Sequence, residues 1–398
     1  MTGLQIVVDS YFDGSTHHPD GPFTLTVQDG CISEIRRGES LREGMQLQRA
    51  AFLMPGLVEA HSHLFLDGGE HDPTRRAAYL QAPREAMLAV GRQSVRQSLA
   101  AGVTLVRDAG DIHGINLLLR EEQNDAQALP MLLCAGRAIR NARRYGSFMA
   151  QELTEQTSPE QLVSDLAVHA DQIKILMTGI IDFEAGAVLG APQFTQEQAT
   201  RIVSAARVHG LRTFAHCSGA QGIDLALAAG IDSIEHGFFV TRAQLQTMAD
   251  RQVSWVPTFS PVHFQWSRPE IVGWSAQAVG NLERILDSHR RQLDHAYTLG
   301  VPVLIGSDAG SMGVPHGSAC VEELILMVGA GIALSKLLHS ATTLPRRLWA
   351  CAPADIAPGR GAEFVLFDQS PFDDPRALRR PSAVVRAGQL SQPEPALS

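Results

Sequence analysis

The motif His61-Ser62-His63 closes the apolar run LVEAHSH. In an extended chain, residues two apart point the same way, so both imidazoles face one side. In a chain with 15 histidines one such pair is weak evidence. The placement recurs, however: His216 ends RTFAH, His236 ends DSIEH and Asp308 ends PVLIGSD, each followed by small or turn residues. A single buried histidine can equally serve a backbone carbonyl. Four histidines and an aspartate at the ends of successive apolar runs are harder to explain that way, and imidazole with carboxylate suits zinc or a neighbouring divalent metal.

Lys174 lies inside the apolar run QIKILM. A bare ammonium there is costly and repels a metal ion. Its stem could snorkel, its charge could pair with Asp308, or the neutral amine could take up CO2 as a carbamate (N6-carboxylysine) and become an anionic bridging ligand. Arginine cannot do the last. Lysine occurs only at Lys174 and Lys336, and arginine supplies the rest of the 33 basic residues. A lysine kept at this position therefore favours the carbamate.

The elements that must position these groups follow from periodicity. After Pro55-Gly56, short β-branched runs alternate with longer segments of helical period. Eight strands are predicted, at 57–63, 104–108, 131–135, 172–177, 212–216, 232–236, 254–258 and 302–308. Between them QEQATRIVSAARVHG and LERILDSHRRQLDHAYTLG read as helices stopped by Gly210 and Gly300. This alternation predicts an α/β chain folded as a (β/α)8 TIM barrel over 56–349, whose strand ends carry the site. Residues 1–55 and 350–398 return to short strands and are expected to form one small β-sandwich domain from both termini.

At 398 residues with a hydrophobic share of 44% the chain can bury a large core. A net charge of -9 gives no general support for a nucleic-acid or anionic-membrane partner. Five scattered cysteines without a CxxC fit a reducing compartment. No basic start precedes an apolar run, and no stretch reaches membrane-span length, so the expected location is cytoplasmic. The expected partner is a small-molecule substrate, with homo-oligomerisation left open.

The residues from PGLVEAHSH through GSDAG to PGRGAEFVLFD resemble the amidohydrolase superfamily. The run GSDAGSMGVPHGSACVEELILMVGAGI is most similar to the imidazolonepropionase-related group that holds Xaa-Pro and Xaa-Arg/Lys dipeptidases and arylamide hydrolases. The resemblance implies a two-metal site, with zinc the expected ion. His61, His63 and Asp308 would hold the more buried metal, the Lys174 carbamate would bridge, and His216 with His236 would hold the second. It implies hydrolysis by a metal-bridging hydroxide, with Asp308 as proton shuttle. Gly219 stands where the deaminase branch has a glutamate, which argues against ring deamination.

Where the dipeptidase group has a loop resembling GRAIT…GGHG, this chain reads GRAIRNARRYG. Tyr145 takes the place of the carbonyl-contacting histidine, beside Arg140, Arg143 and Arg144. Two readings stay open: the arginines hold an anionic group, with Arg144 and Tyr145 as contacts, or they only solvate the loop. After the seventh strand, Phe259, His263, Phe264, Trp266 and Trp274 form either an aromatic substrate wall or a self-packed lid. His316 is expected near the rim, facing substrate or supporting a ligand. Arg107 and Asp108 read as an ion pair or as support for the ligands, and Cys217 as core. The expected activity is hydrolysis of an amide in an N-acyl amino acid, dipeptide-like or arylamide substrate. Opening of a cyclic amide, imide or lactone is the alternative, and a non-catalytic barrel scaffold a third reading that predicts lost ligands.

Overall fold

The computed structural model describes residues 3–123 and 129–392. Seven of the eight predicted strands are present and parallel to their neighbours. Leu57–Ser62, Val103–Asp108 and Met131–Cys134 form one ladder. Gln172–Leu176, Arg212–Cys217, Ser233–His236 and Ser254–Val256 form another. The eighth segment is irregular yet sits where expected. Val303 bridges Trp255, Ala309 bridges Ser62, and the amides of Leu304 and Ala60 donate to Trp255 and Ile305 carbonyls. It thus joins the last strand of one ladder to the first of the other. Gly306 permits the approach: a Cβ there would lie 2.8 Å from the His61 nitrogen.

The helices start and stop where side chains satisfy their free backbone groups. Gln196–Val208 opens on a Thr195/Gln198 capping box. Ala276–Leu299 is capped by Ser275 and ends at Gly300, whose φ of 80° only glycine adopts cheaply. The parallel strands are buried almost throughout, and their outward side chains join the helices in one large apolar core.

Two departures from the expected elements matter for the site. Residues 138–153 are more than a loop: Ala138–Asn141 pairs in parallel with Ala150–Leu153 and touches the next strand at Ile139↔Ile175. The segment after the seventh strand folds into two helices, Phe259–Ser267 and Pro269–Val272.

The terminal strands join one continuous sheet where two facing sheets were expected. Its order is Gln389–Ser391, Pro381–Arg386, Phe364–Phe367, Gln46–Pro55, Leu4–Phe12, Phe23–Gln28, Cys31–Arg37. The sheet curls until Cys31 bridges Gly361, with Leu4, Ile6, Val8, Leu25, Phe364 and Val385 inside the curl. Among the described residues, no helix is long and apolar enough to cross a membrane.

Candidate active site

The six residues expected as ligands converge. The Nε2 atoms of His61 and His63 lie 3.6 and 3.5 Å from Asp308 Oδ1. Lys174 Nζ is 3.3 Å from His61 Nε2. Ring centroids run from His63 to His61 at 5.5 Å, from His61 to His236 at 5.0 Å and from His236 to His216 at 4.6 Å. All six line one cavity.

Three strand ends reach this arrangement through a backbone turn. His236, Thr258 and Asp308 have φ of 66°, 50° and 59°, the left-handed region that non-glycine residues enter at a cost of ~1–3 kcal/mol each. The β-branched Thr258 is the most strained of the three by type. Its Oγ1 lies 2.7 Å from His236 Nδ1, and the next two amides donate to the buried Glu323 carboxylate. These bonds hold the turn and orient the imidazole.

The tautomers of the first pair follow from their partners. His61 Nδ1 lies 2.6 Å from Glu235 Oε2, an acceptor, and His63 Nδ1 lies 3.4 Å from the Gly110 carbonyl. Each Nδ1 therefore carries the proton, leaving Nε2 as a lone pair. Burial pushes His61 well below the usual imidazole range and His63 down to about 3, so both are neutral at pH 7. Two imidazole lone pairs then face a carboxyl oxygen of Asp308. Their atoms lie within 4.8 Å of each other. A divalent cation is what such a donor set fits.

Burial also raises Asp308 above the usual carboxylate range, and lowers Lys174 below the usual amine range. The cationic neighbourhood of Lys174 adds to the depression of all four imidazoles. Without a cation, this centre stabilises neither its acid nor its base in the charged form.

Glu235 was not singled out in the sequence. Besides His61 it accepts two bonds from Arg107, both at 2.9 Å, and one from Ser233 Oγ at 2.6 Å. The Arg107 guanidinium lies between the Phe214 ring at 4.2 Å and the Trp349 ring at 4.8 Å. Arg107 thus pairs with Glu235, not with its neighbour Asp108, which accepts instead from the Leu64 and Gly110 amides and Asn116. Glu235→Gln would place an amide N–H against either Arg107 or His61. The expected result is a loss of metal affinity of ~10–100-fold with a lower melting temperature. A variant that melts early yet binds metal normally would make Glu235 purely structural.

Residues 52–391 match the Amidohydrolase family. The chain belongs to it. An uncharacterised protein of Mycobacterium tuberculosis is 25% identical over 93% of this chain and 92% of its own length. An ochratoxinase of Aspergillus niger is 23% identical over 86% of this chain and 76% of its own. Among solved structures, a Xaa-Pro dipeptidase with bound methionine superimposes with a TM-score of 0.83 at 25% identity, over 98% of this chain and 100% of that one. This amidohydrolase accordingly has a TIM-barrel-type fold of mixed α/β content and is a hydrolase acting on carbon–nitrogen bonds.

The expected substrate contacts divide. Tyr145 lines the cavity, its ring 5.5 Å from that of His216. Arg144, His263 and His316 do not. The short strand at 138–141 carries Arg140 toward Glu152 and the Arg144 carbonyl, and the Arg144 guanidinium donates to the Ala191 carbonyl. His316 lies 3.2 Å from Ser62 Oγ and 2.9 Å from the Leu66 carbonyl, one layer behind the ligands. His263 packs on Trp266 at 5.7 Å. The helix Phe259–Ser267 presents Pro261, Val262 and Gln265 to the cavity, while Phe264 packs against His71 and Trp274 against Phe183. The aromatic residues of this segment therefore pack on their surroundings and do not line the cavity. Cys217 is buried in the core, as expected.

Proposed function

We propose that this amidohydrolase cleaves an amide bond of a small molecule using two divalent cations, zinc being the ion its donor set suits best. The observation that carries the reading is the meeting of His61 Nε2, His63 Nε2 and Asp308 Oδ1 within 4.8 Å of one another. On this reading those three hold one cation, His216 and His236 the other, and Lys174, carboxylated, bridges. Bound there, the cations would lower the pKa of a water and polarise the scissile carbonyl. Asp308 Oδ2 accepts from Ser311 Oγ at 3.1 Å, which aims Oδ1 at the reacting centre. Its carboxylate takes the proton of the attacking water and passes it to the leaving nitrogen. Tyr145, half-buried and held protonated, donates to the oxyanion formed from the carbonyl.

The scaffold reading predicts missing ligands, whereas all six are brought together here. We further assign residues 56–349 to a closed (β/α)8 barrel, and 1–55 with 350–398 to the small terminal domain.

The test is metal analysis followed by a screen of linear N-acyl and N-aryl amides, cyclic imides and lactones. Hydrolysis of a linear amide should be lost on chelation and restored by zinc. Turnover by protein verified as metal-free, or turnover of lactones alone, would overturn the proposal.

A pH dependence follows. Burial raises Asp308 to about 7, so in metal-free protein its neutral form stabilises the fold below the usual carboxylate value, and that contribution is lost as pH rises through 7. A cation needs the carboxylate and compensates it. The zinc-induced gain in melting temperature should therefore be larger at about pH 8 than at about pH 5, by roughly 3 °C or more. A gain independent of pH would remove Asp308 from the ligand set.

A further inference from the structure

The space beside the candidate metal centre is a cavity of about 220 Å³, small beside the ~300–1,000 Å³ of many ligand sites. Its walls beyond the ligands are apolar, built chiefly from Leu66, Phe148, Leu176, Ile181, Phe183 and Val262. Among the described residues, the ionisable groups lining it are the six candidate ligands and the Tyr145 phenol; the other polar lining is Ser218, Thr258, Gln265 and Ser311, all uncharged.

Four guanidiniums near the rim bond to other groups of the protein. Arg76 donates to the carbonyls of Asp67, Glu70 and Gly310, and Arg75 forms an ion pair with Glu70. Arg140 pairs with Glu152, and Arg144 is bonded to the Ala191 carbonyl. At the mouth the hydrophobic character continues outward. Ile180 lines the opening and Leu189 follows the hairpin Ile181–Asp182/Ala187–Val188; each is 57% exposed. Large apolar side chains left that open beside a cavity mark a surface that an apolar ligand would cover.

We infer that the part of the substrate held in this cavity, beyond the scissile bond, is uncharged and apolar: a single ring or a short branched chain, without the carboxylate of a dipeptide or N-acyl amino acid. This rests on the amide-hydrolase reading and narrows it. A carboxylate placed against this wall would lose its water and find no counter-charge.

The test uses zinc-loaded protein and matched pairs that differ by one carboxylate. N-phenyl isobutyramide and its ring-carboxylated form are compared for kcat/KM. Their ketone analogues, with CH2 in place of the amide N–H, are compared for binding through the fluorescence of Trp274, whose ring is 5.7 Å from that of Phe183. The neutral member should be favoured by at least about 100-fold in both measurements. Ile181→Arg, at the half-buried hairpin, should improve kcat/KM for the carboxylated amide by at least about 10-fold while lowering it for the neutral one.

Equal or better binding of the carboxylated ketone overturns the inference, and so does faster hydrolysis of the carboxylated amide. If the neutral ketone binds preferentially and neither amide is hydrolysed, the cavity's preference stands and the amide-hydrolase reading falls. If both amides turn over with equal kcat/KM, the reverse holds.

Discussion

Replacing Lys174 by alanine is expected to remove at least one metal ion and to lower turnover by at least about 10³-fold. The reason lies in where the side chain ends. Lys174 is 1% exposed, and its Nζ sits 3.3 Å from His61 Nε2 and 4.9 Å from the Phe214 ring centroid. Burial and the neighbouring Arg107 press it toward the neutral amine, against the pull of Glu235 and Asp308. A neutral amine can attack the carbon of CO2 and release one proton to water, leaving a carbamate anion on the same nitrogen. That anion would supply negative charge to two cations where an ammonium would repel both. Lys174→Arg should be as inactive as Lys174→Ala, because a guanidinium stays charged and forms no carbamate. Short carboxylic acids added to the alanine variant should restore part of the metal content and part of the rate, since they supply the missing anion. The readouts are metal stoichiometry, kcat and the added mass of CO2 on the intact protein. An arginine variant with full metal content and wild-type turnover would leave Lys174 as a structural cation paired with Asp308.

Much of this centre is legible in the sequence because most of its candidate ligands end apolar runs. The strands Leu57–Ser62, Gln172–Leu176 and Arg212–Cys217 are continuous enough for period-two reasoning to aim their side chains. The same reasoning hides Glu235. In a uniformly extended strand Glu235 and His236 would face opposite sides. The positive φ at His236 breaks the alternation, and both reach the interior. Thr258 is hidden for the same cause: a β-branched residue in the left-handed region contradicts its own preference, so nothing local points to it. The arginines of GRAIRNARRYG leave two readings open in the sequence. Clustered charge can face substrate or pair with neighbouring acids, and the short ladder at 138–141 and 150–153 turns Arg140 toward Glu152. That pairing depends on a strand too short to show a period. The terminal sheet was legible as strands, whereas its continuity rests on the long partners Leu4–Phe12 and Gln46–Pro55, which run parallel and carry both halves.

Asp308→Asn separates ligand from proton carrier, and the expected result is a protein that keeps metal yet turns over at least about 10³-fold more slowly. The amide oxygen of asparagine can still coordinate, from a position 3.5 Å from His63 Nε2 and 3.6 Å from His61 Nε2. The amide nitrogen can face Ser311 Oγ, which accepts as readily as it donates, so the side chain needs no new conformation. What asparagine cannot do is hold the proton between the attacking water and the leaving nitrogen. In the native protein burial raises Asp308 and the nearby Lys174 lowers it; a bound cation lowers it further. Activity should then be present at neutral pH and fall as pH drops through the carboxylate's pKa, giving an acidic limb to the kcat profile. In the asparagine variant the residual rate should lack that limb, a change that loss of metal alone would not produce. Metal content measured on the same preparation decides between the two roles. Unchanged kcat takes Asp308 out of the chemistry, and a variant stripped of both ions leaves it a ligand only. Retained metal, a slow rate and a flattened acidic limb together assign it the proton.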